Sequence, residues 1–183
     1  MNKKEKRAAR CLSVQLLYSF ELIPASSINK LLENFFKNKD NDLDEIIYKK
    51  KEIDYAKKLV KQTLNNSESI DKVIKQKLSN WDISRLAIID KIILRMSISE
   101  MFFIDDVPKK VSMAEGIEIS KEFSTKDSSS FINGILDAIY NSKNITADTF
   151  RITANDNKIY GCMDIAASNY NSKATIDDGS CKY

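Results

Sequence analysis

The sequence predicts an all-α protein: a compact bundle of six to seven helices followed by a small irregular C-terminal extension. The chain has 183 residues, of which 43% are hydrophobic, enough for a sizeable core. Only four residues are Gly and two are Pro, so the turn residues that a many-stranded protein needs are scarce. Apolar side chains also recur every three to four residues through most of the chain, a spacing typical of amphipathic helices.

The first two helices are predicted from such stripes. The first helix runs from about Lys4 to Glu21, and Pro24 ends it because proline cannot continue a helix. Its apolar face comprises Leu12, Leu16, Leu17 and Phe20. The second helix opens near Ser26 or Ser27, both good N-caps, and carries Ile28, Leu31, Leu32, Phe35 and Phe36. The polar stretch Lys37–Asp44 predicts a loop.

The middle of the chain predicts three further helices. One carries the stripe Ile53, Ala56, Leu59, Val60 and Leu64. The next has an acidic first turn after Ser67 and carries Ile70, Val73, Ile74 and Leu78. The third, from about Ile83 to Phe103 with Asp82 as its cap, is apolar on most of its circumference. A helix with so little polar surface is expected at the centre of the bundle.

Two helices complete the predicted bundle. Pro108 lies at the start of one, and the polar stretch Ser124–Ser130 predicts a turn before the last, from about Ser129 to Tyr140. Asn133 and Gly134 lie inside this last helix, where glycine costs roughly 1 kcal/mol relative to alanine. We expect Gly134 to allow close backbone approach to another helix or to a partner; the alternative is a tolerated defect.

The composition changes after Lys143. Residues 144–183 are rich in Asn, Asp, Ser and Thr, contain Cys162 and Cys181, and show no helical stripe. We therefore place a domain boundary near Ser142–Ile145, between a helical domain (1–143) and an Asp/Asn-rich extension (144–183).

Several classes of function are disfavoured. The chain has no histidine, which removes the commonest general base and every His-containing metal site. Its three cysteines show no CxxC spacing and cannot make a four-cysteine metal site. We therefore expect no enzyme, cofactor or metal. No apolar run reaches about 18 residues, and the basic N-terminus leads into an amphipathic helix, so no membrane association and a cytoplasmic location are expected.

Positive charge is concentrated at the N-terminus. Residues 3–10 contain one acid, Glu5, and five cations: Lys3, Lys4, Lys6, Arg7 and Arg10. Such a cluster can form a phosphate-binding surface. The alternative is a solvated basic segment with no ligand.

Three segments, in order over about residues 3–142, resemble the NusB family. The first is Lys6-Arg7-Ala8-Ala9-Arg10 leading into Val14-Gln15-Leu16-Leu17-Tyr18. The second runs from Asn80-Trp81-Asp82 through Arg85 and Arg95 to Glu100. The third and most specific is Asp106-Val107-Pro108 with Glu115 and Glu118, then Asp127-Ser128 and Phe131-Ile132-Asn133-Gly134-Ile135-Leu136-Asp137. The resemblance implies an all-helical bacterial factor that binds boxA RNA together with NusE, a small-subunit ribosomal protein. In that role it helps RNA polymerase to read through terminators, chiefly in ribosomal RNA operons.

The resemblance and the chemistry of the residues together give candidate sites. The RNA-binding candidates are Lys6, Arg7, Arg10, Gln15, Asp127, Ser128, Ser130 and Phe131. Cations near one helix end neutralise phosphates, whereas unpaired bases need a flat ring and polar groups. If the fold matches the family, the corner at Asp127–Phe131 is expected near the first helix, with Phe131 either stacking on a base or packing in the core. Candidates for partner binding are Arg85, Arg95 and Glu100, with an intramolecular charge network as the alternative.

The chain departs from the family pattern at four positions. Ala8 and Ser130 stand where the family often has cations, Ala114 where it often has Asn, and Ser124 where Gly is common. The loss of two cations predicts weaker RNA binding by the isolated protein and greater dependence on the partner.

The extension carries a second resemblance. The segment from Tyr160-Gly161-Cys162 to Cys181 is similar to a Cys-bracketed, Asp/Asn-rich repeat of surface or secreted proteins of marine bacteria. A disulfide between Cys162 and Cys181 would contribute roughly 3 kcal/mol in the chain-entropy model, although a reducing cytoplasm would keep both thiols free. The alternative is calcium binding through oxygens of Asp164, Asn169, Asn171, Asp177 and Asp178.

Two other functions remain open from the sequence. The helical domain also resembles the N-terminal, substrate-binding module of some RNA cytosine methyltransferases, although the chain lacks their large catalytic domain with its Gly-rich cofactor loop. A helical adaptor that uses its basic helix only for protein contacts is the third reading.

Overall fold

A computed structural model of the chain describes residues 1–24, 28–39, 48–78 and 83–150, and in the extension residues 160–161, 164, 166–169, 176–177 and 180–182. The predicted helical bundle is confirmed. Its helices are α1 (Lys3–Leu22), α2 (Ile28–Lys39), α3 (Lys50–Asn65), α4 (Ser67–Lys77), α5 (Ile88–Phe103), α6 (Lys109–Phe123) and α7 (Lys126–Tyr140). Within these ranges no helix is long and apolar enough to cross a membrane.

Helix α1 begins at a capping box. The Asn2 side chain accepts a hydrogen bond from the Glu5 backbone N–H (2.9 Å), and the Glu5 carboxylate accepts one from the Asn2 backbone N–H (3.0 Å). Two backbone donors that the helix itself cannot satisfy are thereby paired. The cap holds Lys3 and the following cations in regular helix.

Two predicted helix starts are wrong. The predicted helix Ile83–Phe103 is divided: Ile83–Arg85 form a 3₁₀ turn, and α5 starts only at Ile88 after the extended residue Ala87. Helix α7 starts three residues earlier than predicted, because the Thr125 hydroxyl caps it by accepting from the Ser128 N–H (3.2 Å). The apolar pattern does not predict either start, because apolar residues continue across the break before α5 and are absent from the polar first turn of α7.

Helix α5 is the centre of the bundle, as its composition predicted. It packs against α1, α3, α4, α6 and α7, and all but one of its residues from Ile92 to Phe102 are buried. Pairs of side chains give the helix directions. Arg10 meets Glu100 while Glu21 meets Arg95, so α1 runs antiparallel to α5.

Helix α6 also runs antiparallel to α5. Ser124, at its end, bonds Asp90 near the start of α5, whereas Gly116 lies against Ser97, farther along α5. Because α1 and α6 both oppose α5, they are parallel to each other. Their N-termini therefore lie at one end of the bundle, and α7 starts near the other.

The two glycines of the last core helices have opposite surroundings. A Cβ on Gly116 would collide with the Ser97 hydroxyl and would lie 3.0 Å from the Ser97 Cβ, so α5 and α6 approach closely here. At Gly134 no atom lies within 4 Å of an added Cβ. The predicted close approach of another helix at Gly134 is therefore wrong for the described part of the chain.

The first residues after the predicted domain boundary pack onto the bundle. Ile145 and Phe150 are buried in the core cluster, and the Phe150 ring lies 5.0 Å from that of Phe102 and 5.5 Å from that of Phe103. The domain boundary near Ser142–Ile145 stays a prediction. The contacts of Phe150 show that the chain just after this boundary packs against α5.

Farther along the extension, β1 (Tyr160–Gly161) pairs in parallel with β2 (Ile176–Asp177). The amide of Asn169 donates to the Ser180 carbonyl (2.7 Å) and accepts from the Lys182 N–H (2.7 Å), so it serves as a backbone brace. Cys162, Asn171 and Asp178 lie outside the described residues. The disulfide and calcium expectations therefore stay predictions.

We expect Gly116→Ala to lower the free energy of unfolding by about 1–3 kcal/mol, because the new methyl group must push α5 and α6 apart. Urea-induced unfolding measures this. Gly134→Ala is the matched control and should stabilise by up to about 1 kcal/mol, since it improves helix propensity in open space. Equal effects of the two substitutions would contradict the close α5–α6 contact.

Candidate nucleic-acid interface

Arg7 is a surface cation already engaged by a carboxylate. Its Nε lies 2.8 Å from Oε2 of Glu115 on α6, and its Nη2 lies 3.0 Å from Oε1, a bidentate pair. The Arg7 hydrogen bonds hold the pKa of Glu115 below its usual value despite partial burial. The Arg7 side chain stays 37% exposed, and Glu115 does not engage its Nη1. Arg7 can therefore reach a phosphate, but in competition with Glu115.

Arg10 has a different environment, one turn farther along α1. It is only 2% exposed, and its Nε lies 2.9 Å from both carboxylate oxygens of Glu100 on α5. The Tyr55 hydroxyl on α3 donates to the same carboxylate, and burial together with that negative charge raises the pKa of Tyr55. A guanidinium held this way is not presented to a strand on the surface, so direct RNA contact by Arg10 is not supported.

The other candidates on α1 lie on either side of Arg7. Lys6 donates from Nζ to the Asp106 carbonyl (3.2 Å) and lies 5.9 Å from the centre of the Tyr55 ring. Gln15 is half-buried and accepts from the Tyr48 hydroxyl (3.3 Å). Tyr18, less than one turn beyond Gln15, is 41% exposed.

The start of α7 forms an open corner against the start of α5. Asp127, Ser128 and Phe131 line a cavity of about 380 Å³ together with Arg85, Leu86, Ala87 and Asp90. The Ser124 hydroxyl donates to the Asp90 carboxylate (2.6 Å), which ties the α6–α7 turn to α5. Phe131 both packs against the core cluster and lines this cavity, so the two expected roles are compatible. Ser130 is exposed and is not among the lining residues.

The three candidates for partner binding differ in exposure and in their internal partners. Arg85 is exposed and lines the corner cavity, beside the RNA-binding candidates. Arg95 makes two short bonds to Asp71 (2.7 and 2.6 Å) and one to Glu21 (2.6 Å), and its pKa is raised by these carboxylates in spite of burial. Glu100 is 1% exposed. For Arg95 and Glu100 the geometry matches the intramolecular network that the sequence left as the alternative.

The cationic end of α1 and the α7 corner do not share a cavity. From Glu115, beside Arg7, to Ser124, at the turn into α7, the chain rises roughly 14 Å along α6. The corner is thus level with the middle of α1, near Gln15, rather than with its cations. Glu118 and Glu122 are exposed on the intervening stretch of α6, and Lys121 pairs with Glu118 (2.6 Å). The expected proximity of the corner to the first helix stays a prediction, because the two are level with each other only at the middle of that helix.

Comparison with known proteins identifies the family. The family model described as "NusB family" matches residues 7–141, nearly all of the helical bundle. The chain belongs to the NusB family. Residues beyond 141, including the extension, lie outside this match.

Individual members of the family agree over the same region. The chain is 39% identical over 140 residues to the transcription antitermination protein NusB of Geotalea daltonii, covering 75% of this chain and 94% of that protein. It is 38% identical over 136 residues to the NusB of Chloroherpeton thalassium, covering 74% of this chain but 61%, less than two thirds, of that protein. Among solved structures, it resembles the NusB fold in a crystal structure of antitermination factors NusB and NusE in complex with double-stranded RNA. The TM-score is 0.63 at 26% identity, covering 76% of this chain and 98% of that one.

Replacing Glu115 tests the ion network through pH. Because its pKa is lowered on folding, the Glu115 carboxylate stabilises the fold above its unfolded value of 4.5, and this contribution is lost as the pH falls through the lower folded value. We expect Glu115→Gln to cost about 1–3 kcal/mol at pH 7, as for a hydrogen bond to a charged group. The difference from the unaltered protein should shrink below about pH 4.5.

Urea unfolding at pH 7, 4 and 3 measures this difference. Glu118→Gln is the control, since Glu118 is exposed and its pair with Lys121 is screened by solvent, so its effect should be smaller. A difference between Glu115→Gln and the unaltered protein that does not change with pH would contradict the assigned pairing.

Proposed function

We propose that this chain is a transcription antitermination factor. It binds boxA-like single-stranded RNA together with a NusE-type ribosomal protein of the small subunit, within the antitermination complex of RNA polymerase. The complex supports transcription of ribosomal RNA in the cytoplasm, and the chain itself contributes binding rather than catalysis.

The observation that carries the proposal is the corner cavity. It combines the aromatic residue Phe131 with the polar residues Asp127 and Ser128 in one open space. A base that has left its stack needs a flat apolar surface and polar groups for its edge, and these residues supply both. A paired base cannot enter such a cavity without unpairing, which favours a single strand.

The exposed Lys3 and the partly exposed Lys6 and Arg7 supply the second requirement, neutralisation of phosphates. Lys3, Lys6 and Arg7 occupy the first two turns, and Gln15 lies about 12 Å beyond Arg7, towards the level of the corner. A few nucleotides of extended strand span this distance. The exposed Glu118 and Glu122 on α6 repel phosphates and so favour a path over α1.

The relatives support the partners. The similar proteins from Geotalea daltonii and Chloroherpeton thalassium are transcription antitermination proteins. The similar solved structure holds its NusB with NusE and double-stranded RNA, so a duplex is the natural competitor for the proposed single strand.

The Arg7 contact is tested by Arg7→Ala. We expect weaker binding of boxA-like single-stranded RNA, by a similar factor for all sequences, and a salt slope smaller by about one, because one phosphate contact is lost. Fluorescence anisotropy over a salt series, with and without the NusE-type protein, measures both.

Lys58→Ala is the matched control, since it removes an exposed cation from α3 and should leave RNA binding nearly unchanged. Binding that requires the NusE-type protein would agree with the missing cations at Ala8 and Ser130. Binding of the NusE-type protein with no RNA binding would favour an adaptor instead, and preference for a duplex would refute the single-strand assignment.

The corner is tested by Phe131→Leu, which keeps an apolar side chain but removes the flat ring. Loss of one stacked base is expected to cost about 1–3 kcal/mol of RNA affinity. Phe36→Leu on α2 is the control for general loss of aromatic packing. If both variants bind RNA as the unaltered protein does, Phe131 is a core residue only.

A further inference from the structure

The segment that follows α7 is shaped by its own hydrogen bonds. The Thr149 hydroxyl donates to the Asn144 carbonyl (3.2 Å) and accepts from the Thr146 N–H (3.0 Å). Ile145, inside this turn, is only 8% exposed and belongs to the core cluster. The turn is therefore fixed to the bundle, and it places the next residue, Phe150, against the bundle as well.

Phe150 fills an aromatic site at the end of α5. Its side chain is fully buried, and the centre of its ring lies 5.0 Å from that of Phe102 and 5.5 Å from that of Phe103. Rings at such distances, inclined to one another by 52° and 69°, are in favourable contact. Phe150 lies outside the family match, which ends at residue 141. This contact is therefore made by a part of the chain that the family does not account for.

The aromatic site lies beside two cations, at the end of the bundle where α1 and α6 begin. The Lys109 Nζ lies 4.1 Å from the centre of the Phe102 ring, a cation–π distance. The Lys6 Nζ donates to the carbonyl of Asp106 (3.2 Å), in the connection between α5 and α6. Each ammonium group is thus held either by the last turn of α5 or by the connection that follows it.

The connection itself, residues 104–108, is short and partly exposed. Ile104 and Val107 are buried, and the Val107 N–H donates to the Ile104 carbonyl (3.3 Å). The other three residues are exposed. An exposed connection with few buried contacts opens more readily than the helices on either side of it. Because Phe150 packs on the turn of α5 from which this connection starts, it limits that opening.

We propose that Phe150 is a positioning residue for RNA binding. It holds the end of α5 and the connection to α6, and these in turn hold the ammonium groups of Lys6 and Lys109 where they can meet phosphates. Groups that are ordered before binding lose less conformational freedom when the ligand arrives. The inference rests on the proposed function and adds to it a residue beyond the family match.

The first test needs no RNA. Hydrogen exchange of the backbone amides of residues 104–109, followed by mass spectrometry on the full chain, should be faster by about tenfold or more in Phe150→Ala. Phe150→Leu keeps an apolar side chain without the ring and should show a smaller increase, which guards against a variant that does not fold. Leu64→Ala is the matched control, because Leu64 packs on the core beside the last turns of α1, far from these amides. Equal exchange in Phe150→Ala and the unaltered protein would overturn the proposal.

The second test is a titration with boxA-like single-stranded RNA over a salt series. Phe150→Ala should weaken binding by roughly three- to tenfold at an almost unchanged salt slope, because the cations are still present but less well ordered. Lys6→Ala should lower the slope by about one, since it removes a phosphate contact. Leu64→Ala should bind as the unaltered protein does.

The outcomes separate this proposal from the proposed function. RNA affinity in Phe150→Ala equal to that of the unaltered protein would leave Phe150 with a structural role only and overturn its positioning role. A slope reduced as in Lys6→Ala would also contradict positioning, because it would mean a lost contact. If the unaltered protein binds no RNA, the proposed function itself fails, and the exchange experiment alone decides whether Phe150 holds the connection.

Discussion

The bundle depends on the buried pair between Arg10 and Glu100. Tyr55 bonds the same carboxylate, and Glu115 lies beside the guanidinium while bonding Arg7. Side chains of α1, α3, α5 and α6 thus meet in one network. Removal of one partner from a buried ion pair costs about 3–5 kcal/mol in other proteins, because the remaining charge stays desolvated. Such a network tolerates few orientations, so it determines how α1 is rotated about its axis.

That rotation positions the remaining cations. Lys3, Arg7 and Arg10 are spaced by four and three residues, so they share one face of α1. The exposure of these cations rises towards the helix N-terminus: Arg10 is buried, Arg7 is partly exposed and Lys3 is exposed. Within about ten ångström of helix, the cations on this face therefore change from holding the bundle together to facing solvent.

The direction of the helices spreads the candidate interface along the molecule. Because α1 and α6 both run antiparallel to α5, their N-termini form one end, while the start of α7 meets the start of α5 towards the other. The groups proposed to bind phosphates and those proposed to bind bases are consequently separated by most of the length of α6. A strand bound to both must be extended, which suits unpaired RNA better than a short compact ligand.

The helices, the central helix and the family were predictable from the sequence, because the spacing of apolar residues and of motif residues can be read directly from it. The roles of Arg7 and Arg10 were not, since both are arginines on one helix face and only the position of Glu100 and Glu115 decides which is buried. The sequence predicted a close approach of backbones at Gly134, which lies in a family motif. The structure shows that approach at Gly116, where a side chain would collide with the neighbouring helix. The sequence by itself thus determined which segments are helical and which chemistry they carry. Tertiary structure alone decided which charges are neutralised internally and which face solvent, because burial and pairing depend on contacts between residues about a hundred positions apart.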